Sequence, residues 1–597
     1  MSWCRPVRAL FVIILLFSLA FDLVPPSESV GLPPLDRTLT WNVLETPGVD
    51  PFSVISPSEA SHFALHADLD GNTTLYLTDI PNNRLLKSSS AGSGWLSLMT
   101  ALQTAGALPP VYIVAVAPDD VRVIAVVTNG RKRVYYSADG GMNWTTTGLE
   151  NLVPPLGTNE QISGVEISPA YHLTGRGEAR DIVVCTRDGT PAAGRVLVLQ
   201  LTAIGIGTWK DQLAPAQSYS CIRVSPNYVS DPSLVAIGSD ASDTFLNIGV
   251  RDVISNTSRW NGAVTSGWPV DITGMAPGPD WTQLITSEIV LPGDFYGQLD
   301  YYRRVYLCFD DGNFTGLADV YFVDNHTVYR LDFPDPRPYS LTGSGNHWNI
   351  KLMCSPVSGA SIDGTVLVYY CAYPSPWGGS VWTRPDKYPT GAFGSTQSRA
   401  VVRWTRDGSK AYLGSFSTLA IDTAAAWYLA VNWTTGTAND ESALSVSADN
   451  GLTWNQVGYI DTTISGLNDF AISSDGATAY LTSWNLGINL ESIWRTKSKP
   501  LGDVWERVRC VPSTIDRPIV RLVPGATDGS VVFWADVGGR RVQRSSDAGQ
   551  TWQDTQSNLI VQDMAVVSAY SAYVLQNDGH VSKGSVRAYG TDVWVWG

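Results

Sequence analysis

The stretch Ser545-Ser546-Asp547-Ala548-Gly549-Gln550-Thr551-Trp552 decides the fold class of this chain. A short carboxylate such as Asp547 can accept hydrogen bonds from backbone N–H groups just ahead of it, and Gly549 supplies the positive φ that closes a bend. The tryptophan at the end of the stretch can bury its ring at the start of an outgoing strand. The octapeptide therefore predicts a tight turn between two antiparallel strands.

The octapeptide recurs along the chain with the consensus S-x-D-x-G-x-T-W. The residues that carry the consensus in the full copies are Ser137, Asp139, Gly141 and Trp144; Ser447, Asp449, Gly451, Thr453 and Trp454; and Ser545, Asp547, Gly549, Thr551 and Trp552. A degenerate copy at 88–95 has Ser90 in place of the aspartate. Because every part of the motif serves a turn, we predict that these aspartates stabilise hairpins and do not catalyse a reaction.

These octapeptides resemble the Asp-box, or bacterial neuraminidase repeat, of sialidases, sortilin-type receptors, xyloglucan-degrading propeller hydrolases and photosystem II assembly factors. In those families the box lies between the third and fourth strands of a β-propeller blade, at the periphery and away from the ligand-binding face. A second pattern, Val224–Asp231 followed by Leu234–Ser239, resembles the turn between the first and second strands of such blades. The resemblance is to the superfamily as a whole, and it implies a propeller fold.

The spacing of tryptophans that follow hairpin-like strands measures the repeat. The markers are Trp95, Trp144, Trp209, Trp260, Trp348, Trp454, Trp505 and Trp552, and neighbouring markers are separated by 49, 51, 51 or 47 residues where no longer gap intervenes. A unit of about fifty residues suits a four-stranded blade. We therefore predict an all-β fold, a large β-propeller of about nine or ten blades, with one blade hidden near 366–384. The alternative is two smaller propellers.

Composition supports this fold class and excludes some functions. A chain of 597 residues is too long for one ordinary core, and its 16% charged residues are too few for a disordered chain. Tryptophan (22) outnumbers phenylalanine (15), and 54 glycines and 35 prolines suit many short strands joined by tight turns. The net charge of -15 disfavours binding to nucleic acid.

The N-terminus predicts export. Arg5 and Arg8 precede an apolar run from Ala9 to Phe21, and Ser18-Leu19-Ala20 offers the small residues that a signal peptidase requires. We predict a signal peptide at 1–20, a disordered segment at 21–37 and the propeller at 38–597, with an uncleaved anchor as the alternative. No later segment is long enough to span a membrane. The expected location is outside the cell or in the cell envelope.

Cysteine and histidine patterns predict no metal and no cofactor. Six of the seven cysteines follow the predicted signal peptide, and Cys354 and Cys371 flank a predicted hairpin, so a disulfide between them is the favoured pairing, with free thiols as the alternative. The chain has no CxxC, no Walker loop and no HExxH. Asp68 to Asn72 begins like a calcium loop but lacks the terminal acidic ligand, which favours a simple turn.

An aromatic cluster marks the candidate ligand site. Composition shifts toward aromatic rings at 255–302 and again at 374–393, which we interpret as loop insertions. The residues predicted to stack on sugar rings or to grip a peptide are Trp260, Trp268, Trp281, Tyr301 and Tyr302. We expect the first insertion to cover or border the axial face of the propeller. The alternative is that these rings only pack the insertion onto the blades.

The sequence favours binding over catalysis. The Arg-Ile-Pro motif expected in the first blade of a sialidase is absent, and no GxSxG occurs. We predict no catalytic residues and an exported propeller that binds an extracellular glycan or protein, with a glycoside hydrolase of the same fold as the alternative. We also predict that 38–43 forms a strand in the same blade as 586–596, because an open ring would expose an unpaired edge.

Overall fold

The computed structural model describes residues 44–48, 53–58, 60–189, 193–241, 243–272, 286–310, 320–330, 348–354, 365–372, 380–385, 394–397, 401–404, 411–415, 443–447, 455–487, 490–499, 501–512, 517–554, 560–586 and 594–596. From 348 to 415 it is the backbone pairing of the strands that is described. The predicted signal peptide at 1–20 and the segment 21–37 lie outside these residues.

The described strands form antiparallel sheets, which confirms the all-β class. We number their strand groups 1 to 10 along the chain, and within each group the strands are given in chain order. Groups 1 to 3 are β1 (His62–Ala67), β2 (Thr73–Asp79), β3 (Arg84–Ser88) and β4 (Leu96–Ser97); β5 (Ile113–Val116), β6 (Ile124–Thr128), β7 (Arg133–Ser137) and β8 (Thr145–Thr146); and β9 (Gln161–Ile167), β10 (Tyr171–Leu173), β11 (Gly177–Arg187), β12 (Val196–Thr202), β13 (Gly205–Ile206) and β14 (Lys210–Asp211). 

Groups 4 to 7 complete the first part of the molecule. They are β15 (Ser218–Val224), β16 (Ser233–Ser239), β17 (Thr244–Asp252), β18 (Thr257–Trp260) and β19 (Val270–Asp271); β20 (Thr286–Val290), β21 (Arg304–Asp310), β22 (Val320–Asp324) and β23 (Thr327–Arg330); β24 (Trp348–Cys354), β25 (Thr365–Ala372), β26 (Ser380–Pro385) and β27 (Gly394–Gln397); and β28 (Val401–Trp404), β29 (Ala411–Ser415), β30 (Ala443–Ser447) and β31 (Asn455–Gly458).

Groups 8 to 10 form the C-terminal part. They are β32 (Gly466–Ile472), β33 (Ala479–Asn485), β34 (Leu490–Thr496) and β35 (Glu506–Pro512); β36 (Pro518–Leu522), β37 (Val532–Asp536), β38 (Val542–Ser545) and β39 (Gln553–Asp554); and β40 (Val561–Ser568), β41 (Ser571–Gln576), β42 (Val581–Val586) and β43 (Trp594–Trp596). Hydrogen bonding between β31 and β35 joins groups 7 and 8 into one sheet. The helices are α1 (Met99–Thr104) and the 3-10 turns Leu149–Asn151, Asn261–Ala263 and Asp300–Tyr302.

Within groups 1 to 7 the first strand of each group contacts the first strand of the next, as in the blades of a β-propeller. Strands β1, β5, β9, β15, β20, β24 and β28 contact one another in this order. Apolar side chains fill the space between neighbouring sheets; Val127 of group 2 and Val165 of group 3, for example, share one buried cluster. The first strands therefore surround the propeller axis, and the later strands of each group lie further out.

Group 7 packs against group 1, so the first seven groups close on themselves. Phe63 and Leu75 of group 1 share a buried cluster with Leu444 and Tyr459 of group 7, and β1 contacts β28. The segment 53–58 completes this closure beside 459–461, with hydrogen bonds from the Ile55 N–H to the Ile460 carbonyl (3.0 Å) and from the Ile460 N–H to the Ser53 carbonyl (2.9 Å). We call these seven groups the ring.

Groups 8 to 10 continue beyond the ring, with β32 contacting β36 and β36 contacting β40. The predicted number of blades, nine or ten, stays a prediction, because stretches between the groups lie outside the described residues. The predicted strand at 38–43 also lies outside them, and group 10 takes its fourth strand from Trp594–Trp596.

The octapeptides connect the third and fourth strands of their groups. The Asp139 carboxylate accepts hydrogen bonds from the Asn143 N–H (2.9 Å) and from the Ser137 hydroxyl (2.8 Å). Asp547 repeats this geometry with the Thr551 N–H (2.8 Å) and the Ser545 hydroxyl (2.7 Å). In the remaining full copy, Asp449, Gly451, Thr453 and Trp454 lie outside the described residues.

Two expectations about single residues are wrong. Trp348, predicted to mark the same position in its blade as the other tryptophans, instead begins β24, the first strand of group 6. Cys354 lies opposite Val366, whereas Cys371 lies opposite Asn349 at the other end of the strand pair. An offset of five residues separates the two cysteine Cα atoms by about 17 Å, and a disulfide requires about 4.4–6.8 Å. The hairpin that suggested the disulfide thus has a register that excludes it.

Candidate functional site

The structure separates the aromatic residues that the sequence had grouped together. The stretch 255–302 is not one insertion, since it contains β18, β19 and β20 of two different groups. Trp260 ends β18 at the outer side of group 4, where its half-buried ring donates a hydrogen bond to the Gln212 carbonyl (2.9 Å). Trp268 is 5% exposed and packs in the core between groups 4 and 5, which is the packing role given above as the alternative. Trp281 lies outside the described residues.

Tyr301 and Tyr302 occupy a different position, on the loop between β20 and β21. This loop leaves the first strand of group 5 and therefore starts close to the axis. Tyr301 is 74% exposed and Tyr302 is 39% exposed. Their ring centroids are 5.2 Å apart, and the ring planes are nearly perpendicular at 87°. Of the predicted ligand residues that the structure describes, these two present the most open aromatic surface.

Hydrogen bonds fix this loop to its neighbour. We call residues 291–303 the tyrosine loop and residues 225–232, between β15 and β16, the support loop. The Asn227 amide nitrogen donates to the carbonyls of Gly293 (3.0 Å) and Phe295 (2.9 Å). The Tyr296 hydroxyl donates to the Ser230 carbonyl (2.7 Å). The two loops therefore form one hydrogen-bonded unit.

A buried carboxylate completes the link. Asp231 accepts hydrogen bonds from the Gly297 N–H (2.7 Å), the Gln298 amide (3.1 Å) and the Ser233 hydroxyl (2.6 Å). A Cβ atom on Gly297 would lie only 2.4 Å from the Ser233 hydroxyl oxygen, so the backbone can approach this closely because the residue is glycine. The close packing of the tyrosine loop at this point thus depends on the glycine at position 297, which can be read from the sequence.

The tyrosine loop also has a buried base. Phe295 is fully buried, and the Arg303 side chain is 1% exposed. The Arg303 guanidinium donates to the Gly297 carbonyl (2.8 Å), bonds the Asn325 side chain and pairs with the Asp300 carboxylate (2.9 Å). These contacts hold the loop from below and leave the tyrosine rings facing solvent.

A buried ion pair anchors the support loop on the other side. The Arg251 guanidinium lies 3.0 Å from the Asp181 carboxylate, and neither side chain is exposed. The hydroxyls of Tyr171 (2.9 Å) and Tyr228 (2.6 Å) donate to the same carboxylate. Because Tyr228 belongs to the support loop, the network connects that loop to group 3. All its members are satisfied and enclosed, so we assign it a structural role.

The exposed surface of the two loops is mainly apolar. Val229 of the support loop is 65% exposed, and Leu299 of the tyrosine loop is 49% exposed. The Asp300 side chain is 72% exposed, and it is the exposed charge of the two loops. Sequence reasoning identified Tyr301 and Tyr302 but missed Val229 and Leu299. The pattern at 224–231 indicated a turn, and nothing in it showed that this turn packs against a loop some seventy residues later.

A second polar cluster lies at the axis of the ring. Arg223 on β15 pairs with Glu166 on β9 and with Glu288 on β20, the first strands of the two flanking groups. Burial acts to lower the pKa of the Arg223 guanidinium, but the charge and hydrogen bond of Glu166 together with Cys221 and Cys185 outweigh it, so this pKa lies above its usual value. The side chains of Arg223 and Glu166 are 23% and 26% exposed. The cluster is therefore reachable from solvent.

Metal-ligating residues do not converge in the part of the chain that the structure describes, where no set of three or more His, Cys, Asp or Glu side chains could hold an ion. At the calcium-like stretch, the Asp68 carboxylate accepts hydrogen bonds from the Asn72 N–H (2.8 Å) and the Asp70 N–H (3.0 Å). These bonds describe a turn. Within the same described residues, no helix has the length and apolar character needed to cross a membrane.

Comparison with known proteins yields structures but no sequence family. No protein-family model and no curated protein matches the chain. Similar solved structures include the GH74 xyloglucanase from Xanthomonas campestris, at 11% identity over 89% of this chain and 86% of that chain with a TM-score of 0.40. The GH74 enzyme from Niastella koreensis is similar at 14% identity over 89% of this chain and 77% of that chain, with a TM-score of 0.33. YCF48 from Cyanidioschyzon merolae is similar at 16% identity over 51% of this chain and 79% of that chain, with a TM-score of 0.29. Similarity at this level assigns neither an activity nor a ligand.

Proposed function

We propose that this protein is an exported β-propeller that binds an extracellular carbohydrate or protein ligand through the tyrosine loop. The observation that supports the proposal is the exposure of Tyr301 and Tyr302 on a base of hydrogen-bonded loops. Aromatic side chains with few rotatable bonds bind at a low cost in conformational entropy when their loop is already ordered. The tyrosine loop meets both conditions.

Two parts of the proposal rest on the sequence. Export follows from Arg5, Arg8 and the apolar run from Ala9 to Phe21. We also assign the octapeptides to the Asp-box type and give Asp139, Asp449 and Asp547 a structural role. The turns of Asp139 and Asp547 connect outer strands, away from the tyrosine loop. The acidic net charge of -15 makes a nucleic-acid ligand unfavourable.

Single substitutions test the binding site. Wild type, Tyr301→Ala and Tyr302→Ala are screened on a glycan array and against a panel of extracellular proteins, with thermal melting of each variant. We expect both variants to lose ligand retention at an unchanged melting temperature. Tyr570→Ala is the matched control, because Tyr570 is 63% exposed and belongs to neither loop. Trp268→Ala should instead lower the melting temperature. Equal retention by all variants would remove the tyrosine loop from the site.

The axial cluster supports a second candidate function, glycoside hydrolysis. A guanidinium that bonds two carboxylates holds their oxygen atoms within about 8 Å of each other, and inverting hydrolases separate their two carboxyl groups by about 6.5–9.5 Å. Glu166 and Glu288 share Arg223 in this way. If the protein is a glycoside hydrolase, it should release reducing sugar from xyloglucan or from a sialoside, and the Glu166→Gln variant should lose that activity. Absence of turnover on both substrates would leave the binding function.

A further inference from the structure

We infer that the tyrosine loop binds a protein segment with apolar side chains next to a lysine or arginine, and not a glycan. This inference rests on the proposed function, since it specifies the ligand of the same site. It comes from three features of the two loops: the use of their polar groups, the arrangement of their aromatic rings, and the charge that remains exposed.

Several polar side chains of the two loops are already engaged in contacts within or between the loops. The Asn227 amide nitrogen is bonded to two backbone carbonyls, and the Gln298 amide nitrogen is bonded to Asp231. The Asp231 carboxylate accepts three hydrogen bonds and is buried. The Tyr296 hydroxyl is bonded to the support loop. A glycan ligand needs several amides and carboxylates that point outward to bind its hydroxyl groups; the Asn227 amide and the Asp231 carboxylate point into the contact between the loops, and Asp300 is the carboxylate left largely exposed.

The rings are also arranged for a different ligand. A sugar stacks best on a flat, open aromatic face, and the perpendicular Tyr301 and Tyr302 do not form one continuous platform. Exposed aliphatic side chains, Leu299 and Val229, belong to the same loops. Apolar side chains of a peptide can pack against such a surface from several directions, and tyrosines are enriched in protein interfaces for this reason. The surface therefore favours a protein ligand.

The exposed negative charge of the tyrosine loop favours a ligand with a positively charged side chain. Asp300 pairs with the buried Arg303, yet its carboxylate side chain is 72% exposed and can accept a further hydrogen bond from solvent or a partner. An arginine or lysine of the ligand would meet this carboxylate at the edge of the tyrosine pair, where it could also lie over an aromatic ring. The net charge of -15 would attract such a basic segment at longer range.

The experiment is a selection from a displayed library of random twelve-residue peptides against the full chain, followed by titration of the best synthetic peptide. We expect the selected peptides to combine an aromatic or aliphatic residue with a neighbouring Lys or Arg. Their affinity should fall at least about tenfold for Tyr301→Ala and about threefold for Asp300→Asn, with the latter loss reduced at high salt. Affinity should be unchanged for the control Tyr570→Ala.

Other outcomes distinguish the inference from the proposed function. Binding of an array glycan that depends on Tyr301, without selection of basic apolar peptides, overturns the inference and keeps the site. Peptides that bind Tyr301→Ala as tightly as wild type overturn the inference as well. If neither peptide nor glycan binding depends on either tyrosine, both the inference and the proposed site fall.

Discussion

The ring and the C-terminal groups contain the same axial arrangement in different surroundings. In the ring, Arg223 of group 4 pairs with Glu166 and Glu288 of the flanking groups. In the C-terminal groups, Arg521 on β36 pairs with Asp469 on β32 and with Asp563 on β40. Each arginine thus links the first strands of three consecutive groups. Ion pairs between the first strands of consecutive groups thus occur in both parts of the molecule.

Burial distinguishes the two regions. The Glu288 side chain is 6% exposed, whereas that of Asp563 is 60% exposed. The C-terminal groups also expose apolar side chains of their strands, namely Phe470 (44%) and Ile472 (47%) on β32, and Val567 (58%) on β40. In the ring each sheet has a neighbour on both faces, and in the C-terminal groups the outer face of group 10 is open in the described residues. An arginine that pairs with two carboxylates should therefore contribute more to stability in the ring than in the C-terminal groups.

The largest expected effect comes from removing the two arginines separately. Arg223→Met leaves two carboxylates facing each other in a partly buried site and should cost about 3 kcal/mol. Arg521→Met removes one pair, with Asp469, that is about as exposed as Arg223–Glu166 and one pair, with Asp563, that is largely exposed, so it should cost less, about 1–2 kcal/mol. Urea unfolding gives the totals, and hydrogen exchange locates the loss in β15 or in β36. Equal losses in the free energy of unfolding for the two variants would show that ring closure does not change how much this ion-pair arrangement stabilises the protein.

Closure of the ring can be tested through Asp461. Its carboxylate accepts a hydrogen bond from the Ser58 N–H (3.2 Å), in the segment that closes the ring. Burial raises the pKa of Asp461 to about 6, with Asp79 adding to the rise and Ser56, Ser58 and Arg507 opposing it. Because an amide avoids burying a charge, Asp461→Asn should stabilise the protein at pH 7 by about 2–3 kcal/mol.

The sign of the pH dependence follows from the raised pKa. The folded protein holds the Asp461 proton more tightly than the unfolded chain, so this stabilisation is complete below a pH of about 4 and is lost as pH rises through about 6. In chemical unfolding, wild type should lose stability relative to Asp461→Asn between about pH 4 and about pH 6, with little further change at higher pH. Asp68→Asn is the control, since hydrogen bonds from Asn72 lower the pKa of Asp68 and its effect belongs to lower pH. Parallel pH profiles for wild type and Asp461→Asn would contradict this account of the closure.

The difference between contacts within a single turn and contacts that close the ring explains how far the sequence could predict the fold. The octapeptides predicted their turns because Asp139 and Asn143 interact within a few residues of each other. Ring closure joins Ser58 to Asp461, and no local pattern marks either residue for that contact. For the same reason the sequence grouped the buried Trp268 with the exposed Tyr301, since composition does not reveal which ring a distant sheet will cover. Contacts between residues close together in the chain could be predicted from the sequence, and contacts between residues far apart in the chain could not.

A smaller effect is expected at the octapeptide turns, which occur in both regions. Burial would raise the pKa of Asp139, and hydrogen bonds from Asn143 and Ser137 outweigh it and lower that pKa; the pKa of Asp547 is lowered in the same way by Thr551 and Ser545. Asp139→Ala and Asp547→Ala should each cost about 1–2 kcal/mol, with faster hydrogen exchange confined to the hairpin concerned. Loss of ligand binding at unchanged stability would instead place these carboxylates in a functional site.

The smallest expected effect on stability compares two exposed tyrosines, Tyr301 in the ring and Tyr570 in group 10. Both side chains are mostly exposed, at 74% and 63%, so Tyr301→Ala and Tyr570→Ala should each change the free energy of unfolding by less than about 0.5 kcal/mol. Arg544 lies 5.9 Å from the Tyr570 ring, a contact that contributes little when it faces water. Ligand retention should nevertheless differ, because the loop of Tyr301 is bound to its support loop by the Asn227 and Asp231 side chains. Thermal melting and ligand titration on the same preparations separate the two quantities. A fall in melting temperature for Tyr301→Ala alone would mean that its ring packs against the protein, and the tyrosine loop would then belong to the ring's structure.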